Sequence, residues 1–468
     1  MNRRDLLKTG ALAALGIPFL SPITSKGLSK PPKNSSKKAK NIIFMVSDGM
    51  SMGTLTMGNL MSERKFGKTS TWIQLYKEGK VSRGLMETSS ANSMVTDSAA
   101  GSAAWGGGMK VNNNVLNIGP NGEKPVPILQ KFKSVGKAVG CVTTVPITHA
   151  TPAGFCVNNI HRNNQPEIAT QYLDLNFDVL MGGGLEFFDA TLREDKRDLF
   201  SEFANKGFYI AKTKADLANN AANKPILGVF GVNGLPYTID HIHNDSQKAT
   251  IPTLTEMTKT AIEQLEKNPN GFVLQVEGGR VDWAAHGNDV AGLIYDQIAF
   301  DEAVAFAITY AEQKGDTLVV LTTDHGNANP GLFYGRNADK NFDKLQTVKH
   351  SNEWCLQQVP DNATVKQVID IFESNQGMVL KTDEAQLIAD RFKVITEEDK
   401  KDNRKMPFAE LALMQRSHFS VHFGDTGHSG DYVELAMFGP GSEQQKLFTI
   451  NNELHQFMLD VTETEFKG

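Results

Sequence analysis

Asp48, Asp282 with His286, Asp324 with His325, and His428 stand at or near the ends of apolar runs spread over most of the chain. Carboxylates and imidazoles are the ligands that a divalent cation such as zinc takes, so the set reads as dispersed metal ligands. Asp282 and His286 are four apart in Arg280-Val281-Asp282-Trp283-Ala284-Ala285-His286; on a helix they share a side and can hold one cation. Asp324 and His325 are adjacent, where a strand-end loop can turn both towards one cavity. Asp48 follows five apolar residues, and burying it without a partner is costly. His428 lies in Gly427-His428-Ser429-Gly430, whose glycines let backbone approach a ligand. Each also has an ordinary reading: a surface pair, a capped turn, a loop histidine. Between Asp48 and Asp282 comes Thr96-Asp97-Ser98-Ala99-Ala100, where a helix can start and leave the Ser98 hydroxyl uncovered. Metals beside an exposed hydroxyl predict a hydrolase with a covalent intermediate.

The elements that must position these residues share one grammar. Residues 40–46 are a short apolar run ending in Ser47-Asp48-Gly49, the pattern of a strand buried on both faces. Runs 138–145, 177–181, 271–276, 317–321 and 433–438 repeat it, each leading into a polar or glycine-rich turn. Helical patterns at 255–267 and 291–313 lie between them. This alternation predicts an α/β sheet with helices on both faces, whose ligands bind beyond the carboxyl ends of the strands. From Gly331 to about Phe423 the rhythm breaks into polar segments with amphipathic helices near 365–374, 383–392 and 407–417, expected to be an insertion that crowns or borders the site.

The chain has 468 residues, 40% hydrophobic and 22% charged, enough to bury a large core. Length alone suggests two or three domains, but convergence of the ligands makes 41–468 one catalytic domain with insertion 331–423. Met1-Asn2-Arg3-Arg4 followed by an apolar stretch 11–20 reads as a twin-arginine export signal over 1–24. Its apolar part is too short for a stable membrane anchor, and no cysteine follows it to carry a lipid. Residues 25–40, rich in Lys, Ser and Pro, read as a solvated linker. The expected location is periplasmic or extracellular. Net charge is −5, yet residues 1–40 carry +8, which leaves −13 on the body and argues against a nucleic-acid-binding surface. Cys141, Cys156 and Cys355 are too few and scattered for a disulfide framework or a thiolate zinc site; one bridge and buried thiols both stay open.

Taken jointly, these residues resemble the alkaline phosphatases from Asp48 through Gly441. The carrying motifs are Val46-Ser47-Asp48-Gly49-Met50, Thr96-Asp97-Ser98-Ala99-Ala100, His149-Ala150-Thr151-Pro152-Ala153, Val276-Glu277-Gly278-Gly279-Arg280-Val281-Asp282, Thr323-Asp324-His325 and Gly427-His428-Ser429-Gly430. The resemblance implies a central, mostly parallel sheet and an exported phosphomonoesterase acting on small phosphate esters. It implies Ser98 as a nucleophile that is phosphorylated and then hydrolysed, and Arg162 as the residue that binds substrate phosphate. Asp282, His286 and His428 would hold one zinc, and Asp48, Asp324 and His325 a second. Asp48, Thr151 and Glu277 would hold a third ion, usually magnesium. His149 and Trp283 vary in the family; His149 leaves the third metal's identity open, and Trp283 reads as a wall against which substrate leaves. Family members are commonly homodimers, and nothing in the sequence shows an interface.

The alternative is a phosphodiesterase or sulfatase on the same scaffold, disfavoured by the Arg162, Thr151 and Glu277 set and by the lack of a Cys/Ser-x-Pro-x-Arg sequence after Asp48. A non-catalytic metal or phosphate scavenger is disfavoured by the intact nucleophile. His241-Ile242-His243 would face one side of a strand, and His418 and His422 read as a solvated helix end. Gly106-Gly107-Gly108 and Gly182-Gly183-Gly184 lack the Lys-Ser/Thr sequel of a P-loop and read as close-packed turns.

Overall fold

The apolar run after Lys40 forms β1 (Asn41–Val46), and every residue in it is buried. Its side chains alternate between two cores, Ile42, Phe44 and Val46 on one face and Ile43 and Met45 on the other. A strand covered on both sides has no place for a polar face, which is why the run is continuously apolar. In the computed structural model, residues 38–219, 224–397, 399–401 and 405–466 are described. The expected signal 1–24 and all but the last three residues of the expected linker lie outside them.

β1 is central. It pairs in parallel with β7 (Phe272–Glu277) on one side and β8 (Thr317–Thr322) on the other. Beyond β7 come β3 (Ala138–Pro146), β4 (Val179–Gly183), β6 (Ile226–Val229) and β5 (Tyr209–Ala211), all parallel to their neighbours. Beyond β8 come β9 (Val433–Phe438), which runs antiparallel to both neighbours, then β2 (Ser82–Glu87) and β10 (Phe448–Ile450). The result is a ten-stranded, mostly parallel sheet with helices on both faces, as the alternation predicts. β2, β5, β6 and β10 were not legible in sequence: β2 is half-exposed, β5 and β10 have three residues each and β6 has four. No helix among the described residues is long and apolar enough to cross a membrane. The three cysteines are buried free thiols, with Cys141 and Cys156 sulfurs 3.7 Å apart.

Three local expectations are corrected. Gly182 and Gly183 are not in a turn but are the last two residues of β4, and only Gly184, at φ 94°, leaves the strand. His241-Ile242-His243 is not a strand but the end of a short helix, Thr238–Ile242. Asp296 fixes where that helix begins by accepting from both the backbone N–H and the hydroxyl of Thr238. Gly106 and Gly107 are not in a turn; they belong to the helix Ser98–Gly107, and only Gly108, at φ 73°, leaves it. Their smallness serves packing. A Cβ on Gly106 would stand 1.8 Å from the carbonyl oxygen of Gly154, and one on Gly154 would stand 2.2 Å from Ser102 Oγ. The helices Ser98–Gly107 and Ala150–Cys156 therefore touch backbone to backbone, and Ser102 Oγ donates to the Ala150 carbonyl at 3.0 Å.

The 331–423 segment contains helices Val365–Gln376, Thr382–Phe392 and Phe408–Phe419, within two residues of the expected spans at either end. They enclose a core of their own that includes Leu356, Val368, Phe372, Ile388 and Leu411. Its ends meet where Gly331–Leu332 pairs antiparallel with Val421–His422.

The contact between the two small-residue helices is testable. Gly106→Val should destabilise the protein by at least about 2 kcal/mol, because backbone rather than a flexible side chain blocks the new atoms. Gly335→Ala, with nothing within 4 Å of its added methyl, should stay within about 0.5 kcal/mol of wild type. Equal unfolding midpoints for the two variants would show that the helices can part freely.

Candidate metal and nucleophile site

The carboxyl ends of β1, β7, β8 and β3 gather the residues that the sequence scatters. Asp48 lies two residues past β1, Glu277 ends β7, and Asp324 lies two past β8. Val46 is in register with both Glu277 and Thr322, which sets the three strand ends level. Thr151 enters from the helix after β3, and Asp282 and His286 share the helix Arg280–His286. His428 comes from the short strand His428–Ser429, paired antiparallel with Gly326–Asn327, so it is clamped beside His325. The two imidazoles stack with centroids 3.6 Å apart.

Ser98 is the first residue of its helix, and Asp97 caps it by accepting from the Ala100 N–H at 3.0 Å. A helix start presents free N–H groups and the positive end of the dipole, a place suited to an anion. The hydroxyl is not exposed as the sequence suggested. Ser98 is 1% exposed, because its Oγ faces His325 Nε2 at 3.2 Å inside the cluster. Arg162 is tied to the same spot: Nη1 donates to Asp97 Oδ2 at 3.0 Å and Nη2 to His149 Nε2 at 3.0 Å. Burial alone would raise the Asp97 carboxyl, but Arg162 and the N–H groups of Ala100 and Asn114 hold it below the usual range.

The three expected histidine ligands share one arrangement. Nδ1 of His286, His428 and His325 faces the carbonyl of Thr426, Thr96 and Gly326, at 2.6, 2.9 and 3.3 Å. A carbonyl only accepts, so Nδ1 carries the proton and Nε2 is left as a lone pair aimed into the cluster. His286 Nε2 and His428 Nε2 then stand 3.1 Å apart. Nitrogens that close need a positive charge between them, supplied by a proton on one ring or by a metal cation that accepts both lone pairs.

The carboxylates tell the same story. Asp48 Oδ1, Asp324 Oδ2 and Glu277 Oε1 are buried without a hydrogen-bond partner. Burial and the charges of Asp324, Asp282 and Glu277 push the Asp48 carboxyl well above its ordinary range. Burial likewise raises Glu277 to about 7 and Asp324 to about 6. Burial would raise Asp282 too, but His286, His428 and His325 hold it well below; in return Asp282 overcomes the burial of His286 and lifts it to about 9. Buried acids with unpartnered oxygens are what a cation site looks like before its cation is counted. The donor set fits divalent metal.

Ligand atoms within 4.8 Å of one another fall into three groups: Asp282 with His286 and His428, Asp48 with Asp282 and His325, and Asp48 with His149 and Glu277. All the expected ligands converge, with two differences in detail. Asp282 belongs to two groups, and Asp324 reaches the second through His325, 3.3 Å from its Oδ2. His149 joins the third group beside Thr151, whose Oγ1 lies 3.4 Å from Asp48 Oδ2. Burial and then Arg162 depress His149 to about 3, so its imidazole is neutral.

Several supports escaped sequence reasoning. Asn327 Nδ2 donates to Asp282 Oδ1 at 2.7 Å, and the Thr143 hydroxyl donates to Glu277 Oε2. Asn113 accepts from the Asp97 N–H and donates to the Val95 carbonyl, bracing the turn before Ser98. Only Asn327, two residues past His325, stood close enough to a motif to be noticed. His241 and His243 face the carbonyls of Ile251 and Ile239, and His422 lies not at a helix end but in the short strand Val421–His422, where it accepts from Arg416.

Comparison with known proteins agrees with this site. The family model "Alkaline phosphatase" matches residues 39–464. Alkaline phosphatase 4 of Bacillus subtilis is 29% identical, with 97% of this chain and 96% of the relative covered. Alkaline phosphatase 3 of the same organism is 30% identical, over 94% of this chain and 93% of the relative. The crystal structure of Thermus thermophilus alkaline phosphatase superposes with a TM-score of 0.85 at 30% identity, covering 96% of each chain. A family-model match across nearly the full described chain, with a relative 30% identical over almost its whole length, places this chain in the alkaline phosphatase family.

Proposed function

We propose that the protein is an exported phosphomonoesterase that hydrolyses small phosphate monoesters through a phosphoserine at Ser98. The observation that carries this reading is the placement of Ser98 Oγ. It sits at a helix start, beside an electron-rich cluster fit for cations, and next in sequence to Asp97, which caps that helix and binds Arg162.

In this proposal Asp282, His286 and His428 hold one zinc, and Asp48, Asp324 and His325 a second, since zinc takes nitrogen and carboxylate oxygen. Asp48, Thr151 and Glu277 offer the all-oxygen set that magnesium prefers, while the nearby His149 nitrogen lets that position take zinc as well. When bound, the metals supply positive charge that lowers the pKa of the attacking hydroxyl and stabilises the departing alkoxide. The chain's own groups do the rest. Arg162, already turned towards Asp97, offers two parallel N–H donors to phosphate oxygens. Ser98 Oγ bonds to phosphorus as the ester P–O bond breaks, and the alcohol leaves with a proton. Water then attacks phosphorus, the Ser98 Oγ–P bond breaks, and phosphate is released as Ser98 regains its proton. The N–H groups at the start of the Ser98–Gly107 helix face the charge that develops.

Residues 1–24 are proposed to direct export of the folded chain. The insertion 331–423 is proposed to select substrates by size.

Active protein should contain about two zinc ions and one further divalent ion per chain. Chelation should abolish turnover, and zinc with magnesium should restore it; active protein without zinc by elemental analysis would refute the assignment. Ser98→Ala should lower turnover by at least about a thousandfold while phosphate still binds. Acid-quenched wild type should carry phosphate on the peptide that contains Ser98, and its absence under conditions of turnover would rule out the covalent route. Turnover should rise from neutral into alkaline pH, because the nucleophile acts as its deprotonated form; a maximum below pH 7 contradicts it.

A further inference from the structure

Arg280 is a buried cation, its side chain 7% exposed, two residues before the expected ligand Asp282. Its guanidinium lies between two rings, 4.5 Å from Tyr237 and 4.6 Å from Trp283. Nε donates to the Leu235 carbonyl at 2.6 Å. Gly234 lets the 231–235 loop close over this stack, since a Cβ there would stand 3.1 Å from Arg280 Nε and 3.3 Å from the Trp283 ring. Nη1 has no hydrogen bond, and the carboxylate that faces it, 3.6 Å away, is Glu353 in the helix Asn352–Gln357 of the insertion. Asp296 also feels this cation, but it is bound twice to Thr238.

The stack continues into the site. Trp283 meets His149 edge to face, with centroids 6.0 Å apart. His149 Nδ1 is buried without a partner, so this ring contact and the Arg162 hydrogen bond are the polar and aromatic contacts that orient it. The same ring also lies in the group formed by Asp48 and Glu277, so its orientation bears on both that group and Arg162.

We propose that Glu353 and Arg280 are positioning residues for the phosphate end of the site. Glu353 holds Arg280 flat on Trp283, Trp283 fixes the His149 ring, and His149 keeps the Arg162 guanidinium in place to receive phosphate. The insertion thereby acts on phosphate affinity through a side chain that never touches substrate. This rests on the reading of Arg162 as the phosphate-binding arginine. The physical reason is the state of Arg280 without Glu353. Without its facing carboxylate the Nη1 end of the buried cation is uncompensated, so the guanidinium shifts about its Nε bond to Leu235 and its cation–π contact with Trp283 weakens.

The test is the inhibition constant of inorganic phosphate, with KM and kcat, in metal-loaded wild type, Glu353→Gln, Glu353→Asp, Arg162→Ala and the Arg162→Ala/Glu353→Gln double variant. Arg162→Ala should weaken phosphate binding at least about twentyfold. Glu353→Gln should weaken it about three- to tenfold and raise KM alike, with kcat within about twofold, and Glu353→Asp should recover most of the loss. In the Arg162→Ala background, Glu353→Gln should add less than about 1.5-fold, since coupled residues are not additive. The positioning role is overturned if Glu353→Gln leaves phosphate binding unchanged or tighter while Arg162→Ala weakens it. It is equally overturned if Glu353→Gln has the same effect with and without Arg162. If Arg162→Ala itself leaves phosphate binding unchanged, the phosphate assignment of Arg162 falls, and the role of Glu353 falls with it.

Discussion

Repulsion among buried acceptors is the interaction on which the rest of this structure depends. Asp48, Glu277, Asp282 and Asp324 stand together at the carboxyl end of the sheet, and Nε2 of His286 and of His428 meet there at 3.1 Å. Bare, such a cluster opposes folding, because each charge is removed from water and set beside another of its own sign. A cation reverses the sign of every one of these terms at once. The same density of unpartnered oxygens that strains the empty cluster is therefore what gives it affinity, and folding and metal binding are linked.

A cluster under that strain stays together only on a stiff frame. The central strands provide it, since β1 is buried on both faces and its neighbours β7 and β8 end level with it. The frame reaches Ser98 through the backbone contact of Gly106 with Gly154, which fixes the helix that starts at Ser98 against the helix that carries Thr151. Outer hydrogen bonds finish the placement: Thr96, Gly326 and Thr426 carbonyls set the three imidazole tautomers, and Asn327 and Thr143 hold Asp282 and Glu277. Ligands oriented in this way lose little entropy when a metal arrives.

The surroundings of Arg162 are built differently. Arg162 is held by two side chains, Asp97 and His149, and not by strand ends. Asp97 thus has two tasks, capping the Ser98 helix and anchoring Arg162, which couples the positions of the two residues. The insertion closes on the body through Ser351 with Asp240, Asn352 with Asp289 and Glu353 with Arg280, so its fold is bound to the site's outer wall even though its core is its own.

The sequence by itself determined the sheet's central strands, the strand-end positions of Asp48 and Asp324, the helical pairing of Asp282 with His286 and the helix start at Ser98. Each of these is written in a local pattern: a continuous apolar run, a four-residue spacing, an acidic cap before small residues. The metal and phosphate roles came from the family resemblance of the joined motifs and not from any one of them. Tertiary structure alone decided that Ser98 is covered, that His149 joins Asp48 and Glu277, that Asp282 belongs to two groups, and that glycines read as a turn instead join two helices. The short outer strands and the partners Asn113, Thr143 and Glu353 were equally silent. Their roles arise where segments tens to hundreds of residues apart come within hydrogen-bonding distance, and no local period or propensity encodes which atoms will meet there.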